Sequence, residues 1–246
     1  MTDLKVASRL TKRDSLGDIA DLAQWSERFA ALSVMQRVEL ALEALPGNHV
    51  VTSSFGAQSA VSLHLLSRVR PGIPVVLIDT GYLFPETYAF INEMREKLDL
   101  NLQVYRSLIS PAWQEVTHGK RWLQGKQGIE QYNFENKVEP MQRALDELNV
   151  GTWFTGIRRS QSNSRAATPF VQRTGDYYKV APLADWSDKD VFDYLQTHNL
   201  PYHPLWEKGY ISIGDVHTTR PLHEVASAEE TRFFGLKREC GLHEVL

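Results

Sequence analysis

Two periods alternate along the chain. Val34, Val38, Ala41, Leu42 and Leu45 recur at three- and four-residue spacing, which predicts a helix capped by Ser33 and stopped at Pro46-Gly47. The run His49-Val50-Val51-Thr52-Ser53 then reads as a buried strand, and about Ala57 to Arg70 as a helix broken by Pro71-Gly72. Pro74-Val75-Val76-Leu77-Ile78 is a continuous β-rich apolar run, the pattern of a strand buried on both faces of a parallel sheet. Asp79-Thr80-Gly81 turns the chain into a helix from near Pro85 to Leu98, with Ile91, Met94 and Leu98 on one face. Further strands are predicted at Leu102–Tyr105, Thr152–Thr155 and Tyr177–Val180, and a further helix over Val138–Leu148. Ser187 with Asp190 forms a capping-box pattern for a last helix to about His198.

Strands alternating with helices over about 150 residues imply an α/β fold with a doubly wound, mostly parallel sheet. Residues 1–17 carry no clear period and are expected to be loose. Residues 18–246 are read as one α/β domain, in which 200–246, rich in His, Thr, Gly, Arg and aromatics, is an active-site lid and tail. No repeat or low-complexity tract interrupts this organisation.

Composition narrows the function classes. The chain has 246 residues, 42% hydrophobic and 23% charged, enough for a sizeable core. A formal charge of −3 disfavours a nucleic-acid coat while leaving room for a local basic pocket. No apolar stretch approaches the roughly 18–20 residues of a membrane span, and Met1–Gly17 lacks the apolar core of a signal peptide, so the cytoplasm is the expected compartment. The single cysteine excludes an internal disulfide and any cysteine-built metal site within one chain.

Five segments carry candidate chemistry. Thr52-Ser53-Ser54-Phe55-Gly56-Ala57-Gln58-Ser59 lies between a strand and a helix, where backbone N–H groups and hydroxyls close around a phosphate. It is neither a Walker loop nor a GxGxxG fingerprint, and a plain polar turn is the alternative. At the carboxyl end of the second strand, Asp79 and Thr80 face the region where open α/β sheets bind ligands; Asp79 as a simple turn residue is the alternative. After the fourth strand, Arg158, Arg159 and Arg165 among Ser160, Gln161, Ser162, Asn163 and Ser164 suit phosphate or sulfate, against the alternative of a solvated face. In Tyr202–Arg220, His203 and His217 lack the spacing of a metal site, and His217 and Arg220 are better read as anion contacts. The tail Lys237-Arg238-Glu239-Cys240-Gly241-Leu242-His243 surrounds the lone cysteine with cationic neighbours, which favour the thiolate; a buried, inert cysteine is the alternative.

Taken together, SSFGAQSA, LIDTGYLFPETY, HPLWEKGYISIGDVHTTR and the terminal ECGLH closely resemble the thioredoxin-dependent phosphoadenylyl-sulfate (PAPS) reductases of sulfate assimilation, from about Leu45 to His243. The resemblance implies an adenine-nucleotide α-hydrolase-like fold with a modified pyrophosphate loop at Ser53–Ser59. It implies that Cys240 attacks the sulfur of PAPS, expels adenosine 3′,5′-bisphosphate and holds the sulfonate, and that reduced thioredoxin or glutaredoxin then releases sulfite. It implies substrate contacts from Ser53, Ser54, Phe55, Gly56, Gln58, Ser59, Asp79, Thr80, Gly81, Lys137, Arg158, Arg159, Arg165, His217, Thr219, Arg220, Arg238 and His243, and it suggests a homodimer. Reductases of this family that act on adenylyl sulfate (APS) hold an iron–sulfur cluster on two cysteine pairs. Here Tyr132-Asn133 stands at the first pair, before Lys137-Val138-Glu139-Pro140, and Asp215 and Thr218 at the second. The resemblance therefore implies no cluster, no metal, the 3′-phosphorylated substrate and an outside thiol reductant. An ATP pyrophosphatase or adenylyltransferase on the same fold, and a non-catalytic nucleotide-binding regulator, are the competing expectations.

Overall fold

A computed structural model describes residues 22–236. The expected loose N-terminus at 1–17 and the tail residues Arg238, Cys240 and His243 lie outside that range.

The helices are α1 (Leu22–Ala30), α2 (Val34–Ala44), α3 (Ala60–Val69), α4 (Pro85–Leu98), α5 (Pro111–His118), α6 (Gly125–Asn133), α7 (Glu139–Glu147) and α8 (Asp188–Thr197). The strands are β1 (Asn48–Thr52), β2 (Pro74–Ile78), β3 (Asn101–Tyr105), β4 (Val150–Thr155), β5 (Val171–Thr174) and β6 (Tyr177–Val180), in spatial order β3-β2-β1-β4-β6-β5. All neighbours are parallel except the β5–β6 hairpin at one edge. This is the expected doubly wound sheet.

Alternation along the strands sends side chains to two cores. Val51, Val75 and Leu77 point to one face, packed by α2, α3, α4 and α8. Val50, Val76 and Trp153 point to the other, against Met141, Ala144 and Leu145 of α7. Every residue of β4 is buried, as expected for a central parallel strand. β1 and β4 start very close together: a Cβ on Gly47 (φ +78°) would lie 2.6 Å from the Gly151 Cα.

The predicted caps are present. The Ser33 side chain accepts from the Gln36 N–H, and the Ser187 side chain from that of Asp190, each completing a capping box. Four elements were not expected from the pattern: α1, α5, α6 and β5. The third helix starts at Ala60, because residues 57–59 belong to the preceding turn.

Between α6 and α7 the chain makes a π turn over Phe134–Val138, where the Glu139 N–H donates to the Phe134 carbonyl. Pro140 supplies the reason: it has no N–H to offer the Asn136 carbonyl, and its ring would crowd a regular α-turn there. This widened turn carries Lys137 inward, where it is buried.

From Leu200 to Leu236 the chain runs as turns and short 3₁₀ segments. The run is fastened to the loops at the sheet's carboxyl edge. The His203 N–H donates to the Ala57 carbonyl at 3.1 Å, the Val216 N–H to that of Tyr82 at 2.9 Å, and Leu83 pairs with Asp215. His203 itself is fully buried, 3.0 Å from the Thr87 hydroxyl, and burial lowers its pKa to about 4. It is a neutral packing residue. No helix among the described residues is long and apolar enough to cross a membrane.

Candidate active site

Strand order reverses between β1 and β4, since β1 leads outward to β2 and β3 while β4 begins the other half of the sheet. Loops diverge at the carboxyl ends of such a strand pair and leave a crevice. A cavity of about 450 Å³ occupies that place. Its floor includes Thr52 and Thr155 at the ends of β1 and β4, and its walls are the 53–59 loop, the start of the 156–165 loop and residues 211–215.

The 53–59 loop is held by its own polar groups. The Phe55 N–H donates to Ser53 Oγ at 3.0 Å, the Ser59 hydroxyl to the Gly56 carbonyl at 2.9 Å, and the Ser62 hydroxyl to the Ser59 carbonyl at 3.1 Å. Phe55 adopts a left-handed backbone (φ +49°), which for a non-glycine residue costs about 1–2 kcal/mol. Its ring is fully buried in the larger core, so the side chain serves as the loop's anchor and does not line the cavity.

Arg158 enters from the end of β4, almost completely buried. It donates to Ser160 Oγ at 3.0 Å, the Trp186 carbonyl at 3.2 Å, Asp188 Oδ1 at 2.8 Å and Gln58 Oε1. It therefore ties the 53–59 loop to the start of α8 while forming part of the wall. Arg165 also lines the cavity, with Nη1 bonded to Gln161 at 2.6 Å.

On the opposite side, Lys137 Nζ lies 2.6 Å from Asp215 Oδ2, and the Thr80 hydroxyl donates to Asp215 Oδ1. Burial alone would raise the Asp215 pKa; Lys137 and the Thr80 hydroxyl outweigh it and hold the carboxyl below its ordinary value. Arg232 completes the rim. Its guanidinium lies against Gly214, where a Cβ would fall 2.2 Å from Nη2. Its Nη1 makes long contacts to Ser212 Oγ at 3.3 Å and the Ile213 carbonyl at 3.4 Å, and its buried Nε has no partner among the described residues.

Of the residues expected at the site, Ser53, Ser54, Gly56, Gln58, Ser59, Thr80, Lys137, Arg158 and Arg165 come together around this cavity. The other expected residues among those described do not line this cavity. Phe55 is the anchor already described. Asp79 accepts from the Gly81 N–H at 2.9 Å and the Tyr88 hydroxyl at 2.7 Å, so it shapes its own turn. Gly81 (φ +75°) abuts Pro111, where a Cβ would lie 2.6 Å from the ring. Arg159 donates to the Thr168 carbonyl at 2.8 Å and stacks over Phe170. His217 lies flat on Trp122 with ring centroids 3.7 Å apart, and burial lowers its pKa to about 4, so it adds no positive charge near neutrality. Thr219 is buried, and Arg220 is an exposed cation 5.9 Å from the Phe234 ring. Arg232 and Asp188 line the cavity without having been expected there, while Trp206 and the 211–214 segment do so as parts of the Tyr202–Arg220 candidate segment.

A cleft of hydroxyls, backbone amides and arginines at a switch point suits a nucleotide with several anionic groups. Comparison with known proteins agrees. The family model of the phosphoadenosine phosphosulfate reductase domain matches residues 48–221. The phosphoadenosine 5′-phosphosulfate reductase of Xanthomonas euvesicatoria pv. vesicatoria (strain 85-10) is 62% identical over 224 residues, covering 91% of this chain and 93% of its own. That of Xylella fastidiosa (strain 9a5c) is 56% identical over 235 residues, covering 96% and 99%. The crystal structure of a PAPS reductase from Candida auris, in a phosphate complex, superposes with a TM-score of 0.72 at 28% identity, covering 83% of this chain and 98% of that one. An FMN adenylyltransferase from Candida glabrata, with a TM-score of 0.57 at 18% identity over 83% of this chain and 67% of its own, shares the fold.

Proposed function

The chain belongs to the phosphoadenosine phosphosulfate reductase family, and from that premise we propose that it converts PAPS to sulfite and adenosine 3′,5′-bisphosphate through a sulfonate held on Cys240. The observation that carries the reading is the cavity at the β1/β4 switch point, whose anion-suited loops fall within the matched region.

Two displacements account for the chemistry. The Cys240 thiolate attacks the sulfur, a Cys–S–sulfonate bond forms, and the S–O bond to the 5′-phosphate breaks with its electron pair leaving on the phosphate oxygen. A thiolate of a reduced dithiol protein, thioredoxin or glutaredoxin, then attacks the Cys240 sulfur and sulfite departs. The second thiol of that reductant resolves the mixed disulfide, so two electrons pass from dithiol to sulfonate. The outside reductant follows from cysteine count, because one chain offers no second thiol.

Transition-state charge on the departing phosphate and on the sulfonate oxygens calls for fixed donors. Lys137, Arg158, Arg165 and Arg232 border the cavity, with the amides of the 53–59 loop. The positions Tyr132, Asn133, Asp215 and Thr218 carry no thiolate, so we assign the chain no iron–sulfur cluster and the 3′-phosphorylated substrate. A homodimer in the cytoplasm is part of the same proposal.

The test is the intact mass of the protein after incubation with PAPS and no reductant. The expected result is a gain of one sulfonate, mapped to Cys240 and removed by reduced thioredoxin. PAPS consumed with no adduct would replace this mechanism by direct transfer.

A further inference from the structure

Three segments distant in sequence meet at one buried ion pair on the cavity wall. Lys137 arrives on the π turn, Thr80 on the loop after β2, and Asp215 on the 200–236 run. The two charged side chains are only 8% and 1% exposed. Asp215 is also fixed through its backbone, by its bridge to Leu83 and by the Thr218 N–H donating to its carbonyl at 3.1 Å. The Lys137 ammonium is flanked by the rings of Tyr132 and Phe233, at 5.4 and 5.0 Å. With the carboxylate on one side and aromatic faces on others, the ammonium borders the cavity that Lys137 and Asp215 both line.

A buried pair of this kind adds little net stability, because desolvating two charges offsets most of their attraction. We propose that Asp215 is a positioning residue, which fixes the direction of the Lys137 ammonium so that it meets an anionic group of the bound nucleotide. The role rests on the reading of this cavity as the sulfonucleotide site.

The groups around the pair leave this task to Asp215. Tyr132 on α6 and Tyr82 on the loop after β2 are raised in pKa, by burial first, and stay neutral. His217, on the same run as Asp215, is neutral for the same reason. Glu115 on α5 bonds to the Tyr82 hydroxyl at 2.7 Å, Lys120 reaches the surroundings of His217, and Arg232 stands along the rim. Among the described residues, Asp215 is the carboxylate in contact with Lys137.

Asp215→Asn keeps the size and the Thr80 contact but removes the charge. Its affinity for adenosine 3′,5′-bisphosphate, read by calorimetry, should fall on the order of tenfold. Asp215→Glu should recover part of the affinity. A mere neutralising role predicts the opposite sign, since removing a negative charge from an anion site should tighten binding. Tighter binding, or an unchanged affinity, overturns the proposal. The Lys137→Gln/Asp215→Asn double variant separates folding from positioning. It strands no charge, so it should melt no lower than Asp215→Asn and still bind as weakly as Lys137→Gln alone. If wild-type protein does not bind this nucleotide, the reading of the site falls and the positioning role with it; wild-type binding with an unaltered Asp215→Asn overturns the positioning role alone.

Discussion

Cys240→Ser is expected to lower sulfite formation by at least about 10⁴-fold, while affinity for adenosine 3′,5′-bisphosphate stays within about twofold of wild type. The asymmetry follows from what each step uses. Binding draws on the hydroxyls, amides and cations around the β1/β4 crevice, none of which the substitution touches. The first displacement needs an easily ionised, polarisable nucleophile, and a serine hydroxyl keeps its proton far above neutral pH. Cationic neighbours favour a thiolate and offer a hydroxyl little, and Lys237, Arg238 and His243 are near Cys240 in the sequence. No other residue can substitute, because the chain has one cysteine. Initial rates with saturating thioredoxin, alongside calorimetric titration of the nucleotide, measure both quantities. Sulfite production retained in the variant would show the reductant attacking PAPS directly, and the covalent mechanism would fall.

How far the sequence displays this architecture depends on where each element sits. Strands β1, β2 and β4 have parallel neighbours on both sides, so each carries a buried apolar stretch that can be read in the sequence. β5 is an edge strand of sequence Val-Gln-Arg-Thr, and only Val171 is buried, which leaves almost no pattern to detect. Helix α6 packs through Gly128, Ile129, Tyr132 and Asn133, a buried set with one aliphatic residue, so a helical period of hydrophobic positions is absent. α1 keeps Leu22, Trp25 and Phe29 at helical spacing but spans only nine residues.

The site divides in the same way. Loops that follow strands are legible, because an open α/β sheet puts ligands at the strands' carboxyl ends, and Ser53–Ser59 and Arg158 are at such ends. Contacts across the chain are not. Lys137 and Asp215 are 78 positions apart, and their pairing depends on a π turn that Pro140 imposes. His217 looks like a cation in sequence and is neutral in place, because the stacking that fixes it also buries it. Local composition likewise gives no means of ranking Arg220 above or below Arg232. Only the fold shows that the first is exposed and the second lines the cavity.

Arg232→Met is expected to lower kcat/KM for PAPS by about 10²-fold, equivalent to about 2.7 kcal/mol, the scale of one or two hydrogen bonds to a charged group. Most cations around the crevice already have protein partners: Lys137 has Asp215, and Arg158 has Asp188, Gln58 and two further acceptors. Arg232 has long contacts at Nη1 and an orphaned, buried Nε. A buried donor without an acceptor costs the free protein stability, on the order of 1–3 kcal/mol, and a bound anion removes that cost. Stability and binding should therefore move in opposite directions: the variant melts at the same temperature as wild type or a few degrees higher, while it loses affinity. Arg232→Lys should keep part of the charge effect and lose the forked donor geometry, placing it between the two. Gly214→Ala tests position without altering charge, because its Cβ would fall 2.2 Å from Nη2 and force the guanidinium aside. It should reproduce most of the binding loss. Thermal melts with and without adenosine 3′,5′-bisphosphate, together with steady-state kinetics, read all three variants. A variant at Arg232 that loses stability and keeps its kcat/KM would make the residue a packing group, and the unpaired Nε would then have no part in substrate capture.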